Sequence, residues 1–151
     1  PRHSYFVGPI RLAFPNASIV HVVRHPLDII LSCYQTWFSD GMVWTYDLDE
    51  LTEHYRAHAL AMQNWKECGI RFYDILYEDM VNYPKREIDR LLDRCGLPYH
   101  HGPHNFFSSG YETDTASKNQ VKMPIYRTSV GRWEKYRQHL EPVAESLGLK
   151  V

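Results

Sequence analysis

The chain has 151 residues, of which 44% are hydrophobic and 23% charged, with a formal net charge of −1 at pH 7. Such a length and composition fit a single globular domain with a real core. The near-neutral balance excludes long-range electrostatic capture by nucleic acid or an anionic membrane, so neither is expected as a partner and any anion site must be a local cluster. Cys33, Cys68 and Cys95 form an odd set without paired spacing, which reads as a reducing, cytoplasmic setting rather than a disulfide framework. The sequence contains no signal-peptide pattern and no apolar run of membrane-spanning length.

Residues 4–14 read as a helix with Phe6, Val7, Ile10 and Phe14 on one side, interrupted by Pro9. Pro15-Asn16 is a turn. Residues 18–23 read as a strand, continuously apolar as buried parallel strands are. Pro26 then suits the first turn of a helix over 26–38, whose apolar stripe is Leu27, Ile30, Leu31, Tyr34, Trp37 and Phe38. Asp49-Glu50 opens a long helix that Gly69 stops near Cys68. Residues 70–76 form a second strand, and residues 84–95 a helix between Pro84 and Gly96. Strand, helix, helix, strand implies an α/β fold with a parallel sheet. Residues 97–128 lack periodicity, and so long an irregular segment is usually functional or disordered. A short helix over 130–140 turns Val130, Trp133, Tyr136 and Leu140 inward, and Pro142 begins a last helix that ends near Gly148.

The stretch most loaded with chemistry is Ile19 to Phe38. A β-branched run ends in Arg24, Pro26 opens a helix, and Ser32 lies on that helix's polar stripe. An arginine at a strand end offers two-pronged positive charge, and a helix N-terminus offers free N–H groups, so the pattern suits one terminal phosphate. Tyr77 follows the second strand as Arg24 follows the first, and open α/β sheets bind ligands outside the carboxyl ends of their strands. Two plainer readings stand beside this one. Arg24 pairs with Asp28, or the Ser32 hydroxyl bonds its own helix backbone. Cys95, His100, His101 and His104 cluster between Pro98 and Pro103, but their spacing fits no common zinc pattern.

Arg24-His25-Pro26-Leu27-Asp28 with Ser32 resembles the 3′-phosphate-binding segment of sulfotransferases that use 3′-phosphoadenosine 5′-phosphosulfate. The resemblance continues through Leu76-Tyr77-Glu78-Asp79, Ala116-Ser117-Lys118-Asn119-Gln120-Val121 and Ser129-Val130-Gly131-Arg132-Trp133, in the family's order. It is nearest to bacterial sulfotransferases, often fused to tetratricopeptide repeats, and more distant to tyrosylprotein sulfotransferases. It implies a P-loop-like three-layer α/β sandwich with a parallel sheet, incomplete at its N-terminus. Residues 1–151 would be one domain, the C-terminal portion of a sulfotransferase domain, since Pro1 falls well inside the family's catalytic domain.

The implied activity is transfer of a sulfuryl group to a hydroxyl or amine acceptor, leaving 3′,5′-adenosine bisphosphate, with no metal. By resemblance, Arg24 and Ser32 hold the 3′-phosphate, Tyr77 makes a hydroxyl or ring contact nearby, and Ser117 and Lys122 complete the neutralisation. Some relatives place that last basic residue one position later, where this chain has Met123. Arg132 could cap the same site or simply dock a helix. The sequence has no Gly-rich phosphate loop, neither the nucleotide-triphosphatase form nor the sulfotransferase Pro-x-Ser-Gly-Thr form. The chain alone is therefore expected to be inactive. The alternative is a non-catalytic nucleotide-binding or assembly module, with a P-loop kinase-like protein as a third reading. Nothing in the sequence identifies the acceptor.

Overall fold

The computed structural model describes residues 2–38, 41–99, 101–104 and 123–150. A 3₁₀ turn over Arg2–Phe6 leads into α1 (Val7–Ala13). Then come β1 (Val20–Val23), α2 (Pro26–Tyr34), a 3₁₀ turn at Val43–Tyr46, α3 (Leu48–Glu67) and β2 (Tyr73–Leu76). Helices α4 (Tyr77–Asn82) and α5 (Pro84–Arg94) follow, and a 3₁₀ turn at Arg132–Tyr136 runs into α6 (Arg137–Ser146). β1 and β2 pair in parallel, with Val20 opposite Tyr73 and Val23 opposite Leu76. The expected α/β grammar with a parallel sheet is therefore what forms.

Helix ends follow local chemistry. Asp47 caps α3 by accepting the Asp49 and Glu50 amides at 2.8 and 3.0 Å, so the helix starts slightly before the expected Asp49-Glu50. α3, α5 and α6 each stop in the same motif: Gly69, Gly96 and Gly148 take positive φ, and the next residue's amide reaches back to Trp65, Leu92 and Ala144 respectively. That cap uses Ile70, which is one reason the second strand begins at Tyr73 rather than at 70. Gly8 serves packing instead: a Cβ there would lie 2.6 Å from the Trp65 ring, whose Nε1–H donates to the Ser4 carbonyl.

Four expectations need correction. α2 ends at Tyr34, where the Thr36 hydroxyl donates to the Ser32 carbonyl and ends the ladder. Leu27, Ile30 and Leu31 are buried, but Tyr34 is exposed and Trp37 is 81% exposed against Tyr46. At the N-terminal end Val7 alone of the predicted stripe is buried; Phe6, Ile10 and Phe14 are exposed. β1 is not buried throughout, since Val20 and Val22 present an exposed face that no described residue covers. Finally, Pro142 lies inside α6 rather than opening a helix. An internal proline costs about 3 kcal/mol. Burial of Leu140 and Val143 together, roughly 1.5–3 kcal/mol each, outweighs it, with Ala144 completing the buried face.

The core lies between helices. Leu27, Ile30 and Leu31 of α2 meet Leu51 of α3, Trp133, and Leu140, Val143 and Ala144 of α6. It thus clamps the C-terminal segment onto α2. Among the described residues no helix is long and apolar enough to cross a membrane. The Asp47 cap gives a direct check: Asp47→Ala should lower unfolding stability by about 1 kcal/mol, read as a lower urea midpoint at unchanged slope.

Candidate functional site

The parallel register sets Arg24 and Tyr77 side by side, each the first residue after its strand. The Arg24 guanidinium lies over the Tyr77 ring, 4.6 Å from its centroid. Its Nη2 donates to the Ser129 carbonyl at 2.5 Å, and its Nε is buried without a partner. Asp28, one helical turn on, is 1% exposed. Its carboxylate stands 3.9 Å from Arg24 but accepts two backbone amides more closely, Gly131 at 2.8 Å and Trp133 at 3.0 Å. The plain Arg24–Asp28 pair is therefore present only as a long contact, and each partner makes shorter bonds elsewhere. His25 stacks on Trp133 with centroids 5.1 Å apart and an interplanar angle of 5°.

These residues border a polar cavity of about 420 Å³ lined by Arg24, Ser32, Gln35, Thr36, Tyr77, Tyr126, Ser129 and Arg132. Among the described residues two guanidiniums face it and no carboxylate lines it, so it favours an anion whose oxygens accept hydrogen bonds. The structure brings Arg24, Ser32 and Tyr77 together and adds Arg132. Ser117 and Lys122, with Gln120, lie outside the described residues. Gln35 and Thr36 escaped the sequence reading, although they stand three and four positions after Ser32 and so share its face. Tyr126 carries no such signal, and Ser129 is marked in the sequence only as the first residue of the Ser129-to-Trp133 motif.

The helix N-terminus plays a different part from the expected one. The His25 amide donates to Glu78 Oε1 at 2.9 Å, and no first-turn residue of α2 lines the cavity. Side chains along the flank of α2 do so instead. The histidine group near Pro98 is also otherwise engaged: His101 and His104 contact Tyr99, and His104 Nε2 lies 3.1 Å from Asp89. His100 lies outside the described residues. Among the described residues no group of His, Cys, Asp or Glu is arranged to hold a metal.

A larger cavity, about 560 Å³, opens on another flank of α2. Its walls include Ile29, Ile30, Cys33, Trp44, Leu51, Tyr55, His21 and His58. Burial pushes the Cys33 thiol up from its usual value. Burial, and then the neighbouring His21, push the His58 pKa below 6.5. His21 also bonds Asp74, its register partner, at 2.9 Å. Burial pushes the Asp74 carboxyl up, but hydrogen bonds from Lys66 and His21 outweigh it and hold the group below the usual carboxylate range.

A pH dependence follows from His58. Its folded pKa lies below its unfolded one, so the unfolded chain binds the proton more readily. This contribution to stability is whole above the unfolded value of 6.5 and is lost as pH falls from there towards the folded value. Thermal melts between pH 7.5 and 5 should show a smaller loss for His58→Leu than for the parent protein. Equal losses would remove His58 from the acid response.

A model of the "Sulfotransferase family" matches residues 1–101. The structure resembles the sulfotransferase domain from the curacin biosynthetic pathway with a TM-score of 0.71 at 15% identity, over 100% of this chain and 61% of that one. An uncharacterized protein of Aquifex aeolicus (strain VF5) is 33% identical over 151 residues, 97% of this chain but 20% of its own length. This chain thus spans a fifth of that curated relative. The fold is the P-loop-like α/β fold of the solved domain, and the chain belongs to the sulfotransferase family.

Proposed function

We propose that the polar cavity at the strand ends binds the 3′-phosphate of 3′-phosphoadenosine 5′-phosphosulfate, in a protein that transfers the sulfuryl group to a hydroxyl or amine acceptor. The carrying observation is Arg24: a strand-end guanidinium with a buried Nε that has no partner, facing a cavity shared with Ser32 and Arg132. A terminal phosphate carries close to two negative charges at neutral pH and three acceptor oxygens. Arg24 and Arg132 match the charge, while Ser32 offers a hydroxyl donor, the Thr36 hydroxyl being spent on the Ser32 carbonyl. The Tyr77 ring lies beneath the Arg24 guanidinium, 4.6 Å away, and supports its charge. Ser117 and Lys122 would complete the neutralisation on this reading.

When bound, the donor supplies a sulfuryl group that moves in line between two oxygens. The residues described here act on its far end, by binding and orienting it. Binding energy gained at a non-reacting group can be spent on positioning the reacting one. The acceptor remains a hydroxyl or amine in general terms.

Titration calorimetry tests the assignment. Arg24→Ala should weaken 3′,5′-adenosine bisphosphate by about 2 kcal/mol, roughly thirtyfold, the scale of a lost charge-assisted contact. Adenosine 5′-monophosphate, which lacks the 3′-phosphate, should bind almost as before. Equal losses for the two ligands would sink the proposal.

A non-catalytic nucleotide-binding or assembly module is the second reading, since the polar cavity would serve binding without turnover equally well. Both readings expect the 151-residue chain alone to bind nucleotide without turning over donor. Release of labelled sulfate to any acceptor, abolished by Arg24→Ala, would contradict that expectation.

A further inference from the structure

We infer that Asp28 is the positioning residue of the phosphate site, its buried carboxylate holding residues 129–133 so that Arg132 borders the cavity with Arg24 and the Ser129 carbonyl stays bonded to Arg24. This rests on the phosphate-binding reading above. Asp28 itself does not line the cavity. It stands behind it, with its side chain fully enclosed. A buried carboxylate is tolerated only when its oxygens are satisfied, because removing a charge from water costs several kcal/mol. Here the satisfaction is specific. Oδ2 accepts the Gly131 amide and Oδ1 the Trp133 amide, 103 and 105 residues away in the chain.

Those two amides bracket Arg132. The residue between them is thereby fixed at both neighbours, although its own side chain is exposed. Gly131 takes φ +65°, a left-handed turn in which an added Cβ would lie 3.3 Å from the Glu134 carboxylate. The chain can therefore reverse at 131 and offer both amides to one carboxylate. Two residues earlier, the Ser129 carbonyl accepts from Arg24. Asp28 thus controls both guanidiniums: Arg132 through the anchored backbone, and Arg24 through Ser129 and the 3.9 Å charge contact.

An asparagine could not do this. Its side chain has the same shape but a single acceptor oxygen, and its NH₂ would point at one of the two backbone N–H groups. The hydrophobic contacts of the same segment would survive. Trp133 would still pack against α2 and stack with His25. Asp28→Asn should therefore leave the segment docked but its register against Arg24 loosened.

The test compares affinities of the intact protein for 3′,5′-adenosine bisphosphate and adenosine 5′-monophosphate. The expected result for Asp28→Asn is a loss of about tenfold for the bisphosphate, with the monophosphate changed by less than about twofold. Val143→Ala, which loosens the same core without touching either anchored amide, should lower the melting temperature yet keep the bisphosphate preference. A folded Asp28→Asn protein that keeps the full preference overturns the inference and leaves the Arg24 reading intact. A parent protein with no preference, or one indifferent to Arg24→Ala, overturns that reading and this inference with it. Should Asp28→Asn fail to fold, the parent protein still decides. The Gly131 and Trp133 amide resonances should shift on titration with bisphosphate and not with monophosphate. Amides that stay still while those of residues 24–32 move overturn the inference.

Discussion

The parallel pairing of β1 with β2 decides where the side chains of the polar cavity begin. Val23 faces Leu76, so the chain leaves both strands at one level, with Arg24 and Tyr77 as the first residues beyond. The crossover allows little slack, because Pro26 starts α2 two residues after Arg24. A slip of one residue would turn every strand side chain to the opposite face. It would also set Glu78 or Leu76 beside Arg24. The register is held by more than the backbone ladder: His21 and Asp74 are register partners joined at 2.9 Å, and Lys66 of α3 bonds the other Asp74 oxygen at 2.6 Å. These exposed contacts are individually weak, but they specify one alignment against its neighbours.

α2 is shared by two cavities of opposite chemistry, and size does not decide which one takes an anion. The larger cavity favours neutral forms, since burial raises the Cys33 thiol pKa and lowers that of His58. The smaller one presents Arg24 and Arg132. Opposite unit charges 4 Å apart attract by about 4 kcal/mol at the effective dielectric of a protein surface. Burying apolar area returns roughly 25 cal/mol per Å², and a phosphate has almost none to bury. An anion thus follows the guanidiniums, and the apolar cavity suits uncharged groups.

Much of this arrangement was legible because it is written locally. Pro26 and Pro84 start helices, Gly69, Gly96 and Gly148 stop them, and the strand-end rule pairs Arg24 with Tyr77 before any pairing is seen. The misses share a physical cause. Helix α4 has only six residues and directly follows β2, too short for a period to show. Pro142 reads as a helix start, yet the burial of Leu140, Val143 and Ala144 carries the helix through it. The apolar run of β1 reads as doubly buried, but burial depends on what covers each face, and Val20 and Val22 are uncovered among the described residues. Asp28 was legible only as a possible ion-pair partner of Arg24. Its real partners are two backbone amides, which every residue but proline possesses, so no residue pattern marks them.

The same fact bears on how such a site can act at a distance. The candidate phosphate pocket is built from side-chain charge on a rigid support, not from a nest of backbone N–H groups. Its support is the core itself: Leu27 and Trp133 belong to one buried cluster with Leu140 and Val143, so α2 and the segment carrying Arg132 pack against the same core. Rigid support is what lets contacts at one end of a ligand constrain the other, because a loosely held clamp would lose its binding energy to its own motion. A 3′-phosphate gripped between α2 and residues 129–133 would set the position of the rest of the nucleotide without touching it. On the proposed reading, recognition of the nucleotide and activation of its sulfate would thus be separable tasks. The first would need fixed positive charge, which Arg24 and Arg132 carry at the cavity. The second needs donors at the reacting oxygens, and no Gly-rich phosphate loop for that purpose is found in these 151 residues.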